Sequence, residues 1–260
     1  MSFIAGARFL LFFSIVSGAL VLWMMSHVRQ GKHAPTVRHI NGLDAIEEAI
    51  GRATEMGRPV HFSPGIAGVT DQSAPQTMAA MEILGYAVDL IAKYNTELVV
   101  SIRTADLFPI AQEVARQRFL AAGKPDMFQE TTVRFFSSDQ FAYAASCMGF
   151  MRREKVAANL MVGAFWAEAL LMAEAGAEVG AIQVAGTANL HQIPFFVAAC
   201  DYTLIGEELF AGGAYLSQDK VKLGSIAAQD YLKAASIALV LLGALAATMQ
   251  SSFFTDLLSK

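Results

Sequence analysis

Two long stretches without charge, one near each end of the chain, constrain everything between them. Residues 9–25 read FLLFFSIVSGALVLWMM, seventeen positions with no acidic or basic side chain. At 1.5 Å per residue they reach about 26 Å, close to the ~30 Å hydrocarbon core of a bilayer. The run exceeds the ~7–15 residues of a signal-peptide core, and SHVRQGK follows it in place of a small-x-small cleavage site. It therefore reads as an anchor. At the other end AASIALVLLGALAATMQ (234–250) lies in a charge-free interval between Lys233 and Asp256, with Phe253 and Phe254 near the far interface. The expected start of this second helix is Ser225, in water, ahead of the bilayer. The chain thus divides into an N-terminal transmembrane helix (1–28), a central domain (29–224) and a C-terminal transmembrane helix with a short tail (225–260).

Composition agrees with contact beyond water. Of 260 residues, 55% are hydrophobic before the 20 glycines are counted, and only 16% are charged, against about 45–50% apolar with glycine and about 25% charged in soluble domains. Such a chain is not disordered, and its apolar surplus must face lipid, other subunits, or both. A net charge of -4, with no run of Lys or Arg, excludes nucleic acid as a partner. Two cysteines, Cys147 and Cys200, make neither a disulfide framework nor a zinc site and fit a reducing compartment. Arg29, Lys32 and Arg38 follow the first apolar run against Arg8 before it; Lys220, Lys222 and Lys233 precede the second. Positive charge marks the inner side, so the expected location is the inner (plasma) membrane, crossed twice, with the central domain cytoplasmic and both termini outside.

Between the anchors, helical stretches alternate with short apolar runs, the pattern of a parallel α/β sheet with a Rossmann-like winding. Candidate strands are 60–63, 97–102, 132–136, 158–162, 179–184 and 202–205, which read as continuously apolar more than alternating, as expected of strands covered on both faces. Asn41 is placed to cap the helix LDAIEEAIGRATEMG, and Gly57 to stop it. Three helices, 78–94, 140–151 and 164–175, are apolar nearly all round, which implies burial on more than the sheet side. Burial within the monomer is one reading, and contact with the membrane surface another. Contact with another copy through 140–151 and 164–175, with Phe165 in the interface and Gly18 and Gly243 at close membrane contacts, is the favoured one.

In a doubly wound sheet ligands sit beyond the carboxyl ends of the strands. Residues delivered there are Ser63, Arg103, Ser137, Asp139 and Thr187, the candidate ligand-binding set, although such residues also end strands and cap helices as a matter of course. Arg103 is the cation placed to hold an anionic ligand; its alternative is an ion pair with Asp106 or another carboxylate. No phosphate loop or dinucleotide fingerprint is present, and Gly65-Ile-Ala-Gly68 is only G-x-x-G. His27, His33 and His39 recur every six residues, off any single helical face, and His61 reads as a hydrogen-bonded core histidine. No Cys–His or G-x-S-x-G arrangement appears. Glu207 and Glu208 suit the positive end of a helix dipole. No catalytic residue, metal ligand or cofactor is therefore expected.

The run 38–65 (RHINGLDAIEEAIGRATEMGRPVHFSPG), with GEELFAGGAYLS at 206–217, resembles a prokaryotic membrane-protein family known only as a domain of unknown function. The resemblance spans nearly the whole chain and implies a membrane-tethered α/β domain, with no activity to transfer. The expected role is a non-catalytic scaffold or assembly subunit, homo-oligomeric and bound to the lipid bilayer. The alternative is a sensor or enzyme that takes a small anionic ligand in the strand-end crevice. The topology is testable by labelling: cysteines engineered near residues 2 and 258 should react with an impermeant reagent in intact cells and Lys124→Cys should not, the reverse pattern meaning an inverted orientation.

Overall fold

The computed structural model describes residues 7–30, 39–217 and 220–248. In chain order its first elements are α1 (Ala7–Arg29), α2 (Asn41–Met56), β1 (Val60–Gly65), α3 (Ala74–Tyr94), β2 (Leu98–Ile102) and α4 (Leu107–Ala121). Two single turns of 3-10 helix, Pro125–Met127 and Glu130–Thr132, lead into β3 (Val133–Phe135) and α5 (Gln140–Glu154). The remainder is β4 (Ala158–Ala164), α6 (Glu168–Glu178), β5 (Ile182–Thr187), α7 (Ile193–Ala199), β6 (Tyr202–Ile205), α8 (Glu207–Ser217) and α9 (Lys220–Thr248). The chain separates into two compact units, one spanning His39–Leu216 and the other holding α1 and α9.

The His39–Leu216 unit is α/β, as the sequence pattern implied. Six parallel strands lie in the order β3-β2-β1-β4-β5-β6, the order of a doubly wound sheet whose winding reverses between β1 and β4. Helices α2, α3 and α4 cover one face; α5, α6 and α7 cover the other. Register sets His61 beside Asn159 and Asn159 beside Gln183.

Several boundaries differ from the sequence pattern for identifiable reasons. β5 begins at Ile182, not 179, because α6 continues to Glu178 and Gly180, at φ 72°, closes the turn. α6 begins at Glu168 because the strand before it runs on to Ala164. Asn41 does not cap α2: Ile40 holds the cap position, and the Asn41 amide oxygen meets the His39 ring at 2.8 Å. Gly57 does end the helix, at φ 61°.

Of the three nearly all-apolar helices, α3 is explained within the monomer. It packs against α2 and α4, and α8 lies over it, with Gly212 so close that a Cβ would meet Ile83 at 3.2 Å. Its thin polar stripe is spent on ion pairs, Lys93 with Glu47 of α2 at 2.7 Å and Asp89 with Arg118 of α4 at 3.0 Å.

Where the winding reverses, β1 and β4 meet backbone to backbone. Gly65 has φ 85°, and a Cβ there would lie 2.1 Å from the Ala164 oxygen; Gly163 has φ 143°, and its Cβ would lie 2.0 Å from the Pro64 oxygen. The Ile66 amide extends the pairing to the Ala164 carbonyl at 2.9 Å. Only glycine satisfies both the positive φ and the approach.

In the helical unit, Val21, Met24 and Val28 of α1 pack with Ala227 and Ala228 of α9. Gly224 permits the contact, since its Cβ would stand 2.9 Å from the Met25 Cα, whereas Gly18 and Gly243 face open space. α9 includes Lys220 and does not begin at Ser225; the one weak helix former in KVKLG, Gly224, is held against α1. Both helices are long and apolar enough, by length and composition, to cross a membrane.

Gly163→Ala should cost more than about 2 kcal/mol, combining the positive φ with a collision against backbone. Gly51→Ala, in α2 with nothing within 4 Å of its Cβ, should instead stabilise by about 0.5–1 kcal/mol. Denaturant unfolding of the full chain in detergent compares the two; equal effects would mean the seam tolerates side chains.

Candidate functional site

Four neighbouring strands place polar side chains on the sheet face beneath α5, α6 and α7: Ser101 of β2, His61 and Ser63 of β1, Asn159 of β4 and Gln183 of β5. All are buried. A buried polar group costs several kcal/mol unless it is hydrogen-bonded, and each of these is.

The direction of the bonds follows from the end of the chain they form. Gln183 Nε2 donates to the carbonyls of Ala173 (2.8 Å) and Ala199 (3.1 Å), which can only accept. Its Oε1 therefore faces Asn159 and accepts from Nδ2 at 2.9 Å. Asn159 Oδ1 must then accept, so His61 donates to it from Nδ1 at 2.8 Å. That leaves Nε2 unprotonated, and it accepts from the Ser101 hydroxyl at 2.9 Å. The Tyr143 hydroxyl, from α5, lies 2.8 Å from both Ser101 Oγ and Ser63 Oγ. With the Ser101 hydrogen already given, Tyr143 donates to Ser101 and Ser63 donates to Tyr143. The Gly65 amide donates to Ser63 Oγ at 3.3 Å. Every hydrogen points the same way, from β1 through α5 and back across the sheet.

Electrostatics agree with that assignment. Burial lowers the His61 pKa to about 4, against the Asn159 bond that favours the charged form, so the ring is neutral at pH 7. Desolvation pushes Tyr143 well above the ordinary tyrosine range. The Cys147 thiol, which donates weakly to Ser101 Oγ at 3.5 Å, is pushed up to about 12 by burial, and so is Cys200. Neither thiol is a nucleophile at neutral pH.

Ser101, His61 and Asn159 repeat the hydroxyl–imidazole–amide order of nucleophilic sites. Their setting does not allow that chemistry. All three have 0% exposure, beneath Tyr143, Cys147 and Phe150, so no substrate reaches Ser101 while the sheet stays covered. The arrangement positions strands and fixes a tautomer.

The five residues selected from the sequence lie in separate sets of contacts. Ser63 belongs to the buried chain just described. Ser137 Oγ accepts from the Asp139 amide at 3.1 Å, and Asp139 caps α5 by accepting from the amides of Phe141 and Ala142 at 3.0 and 2.8 Å. Thr187 donates to Gln76 Oε1 at 3.3 Å and accepts from the Asn189 amide at 3.2 Å. Gln76 and Asn189 are themselves joined at 2.9 Å, and Asn189 donates to the Phe165 carbonyl at 2.7 Å, a bracket over the strand ends that sequence reasoning missed. Arg103 gives an Nη1 hydrogen to the Ile66 carbonyl at 2.8 Å. Its Nε is buried without a partner, and among the described residues no carboxylate lies within ion-pair distance. The Asp106 pairing considered for it is not made; Asp106 accepts instead from the Val69 amide at 3.1 Å.

A fully buried carboxylate, Glu168, opens α6 at the same edge. It accepts from the Trp166 amide at 2.9 Å and from Gln140 Nε2 at 2.5 Å, with the amino end of the helix dipole as its further compensation. Among the described residues no group of three His, Cys, Asp or Glu side chains is arranged to hold a metal ion.

Residues 2–258 match a protein family described as "Domain of unknown function (DUF6754)". No curated protein and no solved structure matches the chain.

The buried imidazole carries a pH dependence of definite sign. Unfolded, His61 takes a proton near pH 6.5; folded, not until about 4. Between these values the unfolded chain binds more protons, so stability falls as pH drops through that window, by up to about 3 kcal/mol from this group. Unfolding of wild type and His61→Gln, followed from pH 7 to 4.5, should show the steeper loss in wild type; parallel curves would mean that the ring titrates in the fold as it does in the unfolded chain.

Proposed function

The chain belongs to the DUF6754 family, whose description assigns no activity, and from that premise we propose a membrane-tethered scaffold or assembly subunit. In this reading α1 and α9 span the inner (plasma) membrane, the α/β unit lies in the cytoplasm, and copies assemble through the outer surface of α5 and α6. The observation that carries it is the pairing of shapes on that surface.

The middle of α5 exposes small residues, Ala142, Ala145, Ser146 and Gly149, at helical spacing on one face, between Phe141 at its start and the exposed charges of Arg152, Arg153 and Glu154 at its end. Beside them α6 and its entry loop expose large apolar groups, with Trp166 at 41%, Leu170 at 45% and Leu171 at 36%, and Phe141 stands at 58%. A trough beside a ridge is self-complementary. Two copies related by a twofold axis set each ridge in the other's trough, the isologous contact that closes without further growth. Large apolar side chains half open to water are also what interface cores are built from. A specific interface buries ~800 Å² per partner; at ~25 cal/mol per Å² of apolar area, even half of that is a large favourable term before association costs.

Phe165 does not take part. It is fully buried, edge-on to Phe196 at 5.4 Å, so an acidic residue there would unfold the domain and not split an oligomer. A second reading, a small anionic ligand at the strand ends, is favoured by one observation, the Arg103 guanidinium without a carboxylate partner.

Gly149→Trp and Leu170→Asp alter exposed positions and should leave the helical circular dichroism intact. Light scattering of full-length protein in detergent should show wild type as an oligomer at micromolar concentration and both variants as monomers. A monomeric wild type removes the scaffold reading. If that monomer gains thermal stability from nucleotides or small carboxylates and Arg103→Ala does not, the second reading takes its place.

A further inference from the structure

At the opposite edge of the sheet, where strands begin, a pocket of ≈ 460 Å³ lies between the turn into β2 and the two 3-10 turns into β3. The volume falls in the ~300–1,000 Å³ range of small-molecule sites. Leu98 and Phe119, both buried, make an apolar floor. Around it Asn95, Glu97 and Asp126 are exposed, and among the described residues their side chains enter no hydrogen bond or ion pair. Asn95 holds its place through a left-handed backbone, φ 59°, at the end of α3. Arg134 completes the wall. Its Nε donates to the Thr131 carbonyl at 2.7 Å and its guanidinium lies over the Phe150 ring at 5.4 Å; the two contacts fix it while its Nη groups keep their hydrogens to give.

Both signs of charge are thus present with their hydrogen-bonding capacity unspent. An anion in this space meets two carboxylates; a cation meets a guanidinium. A neutral molecule carrying several hydroxyls meets no like charge. Each hydroxyl donates to a carboxylate or accepts from the guanidinium, and the Asn95 amide does both. The C–H face of a ring has the Leu98–Phe119 floor to lie on. We propose that this pocket binds a neutral polyhydroxylated small molecule of the sugar or cyclitol class. The site is independent of the α5–α6 surface and of Arg103, so it stands or falls apart from the assembly reading.

The test uses full-length protein in a detergent without a sugar headgroup, titrated with glucose, mannitol and myo-inositol under saturation-transfer NMR. Glucosamine and glucuronate serve as cationic and anionic versions of the same ring. At least one neutral polyol should bind saturably, and both charged rings should bind at least about fivefold more weakly than glucose or not at all. Asp126→Trp, which fills the mouth from an exposed turn, should abolish binding; Glu97→Leu, which removes one acceptor, should weaken it. Tightest binding by glucosamine or glucuronate overturns the proposal. So does the absence of saturable binding by all three neutral polyols, or binding undiminished in Asp126→Trp.

Discussion

The hydrogen-bond chain through Ser63, Tyr143, Ser101, His61, Asn159 and Gln183 is the constraint to which the rest of the α/β unit answers. Four central strands carry polar groups on a face that α5, α6 and α7 seal from water. Any member left without a partner would cost a sizeable fraction of a domain's ~5–15 kcal/mol net stability. Register between strands is therefore specified twice, by the backbone ladder and by side-chain geometry. A slip of one residue turns His61 or Asn159 to the other face and breaks both its bonds. Tyr143 extends the same demand to α5, and the Gln183 bond to the Ala173 carbonyl extends it to α6.

The seam between β1 and β4 brings two backbones together where the winding reverses. A doubly wound sheet ordinarily offers its ligand crevice where the winding reverses. Here backbone meets backbone at Gly65 and Gly163, Ile66 and Phe165 are buried beside the seam, and the Gln76–Asn189 bracket spans the strand ends. Ser137 and Asp139 cap α5 there, and Thr187 joins the bracket. The unspent polar groups are displaced to Arg103 and to the pocket at the other edge.

The fold was readable from the sequence because its signals are local. Short apolar runs, the turn glycines and the alternation with helices repeat often enough to identify a parallel sheet. Boundaries slipped where two elements share one composition: AEAGAEVGAIQV contains both the end of α6 and the start of β5, and only the left-handed Gly180 separates them. The site was less readable. His61 stood out as a polar residue in an apolar strand, but Asn159, Gln183 and Ser101 did so equally, and their shared meaning depends on a strand order that sequence alone does not supply. The signal was present as a polar residue in second place of each of three strands, VHF, ANL and IQV. Similarly α3 and α6 look alike as strings, yet α8 covers one and leaves the other exposed.

Because every hydrogen in the buried chain runs in one direction, the chain behaves as a single orientational unit. The carbonyls of Ala173 and Ala199 cannot donate, so Gln183 cannot turn over, nor can Asn159, nor can the imidazole exchange its nitrogens. The tautomer of His61 is thus dictated from two strands away, by the backbone in the middle of α6 and at the end of α7. A substitution at Gln183 would be felt first as a lost anchor and next as an ambiguity in which way the Asn159 amide faces. Buried polar order of this kind is a memory of where the strand next door begins and ends, written in protons and not in contacts.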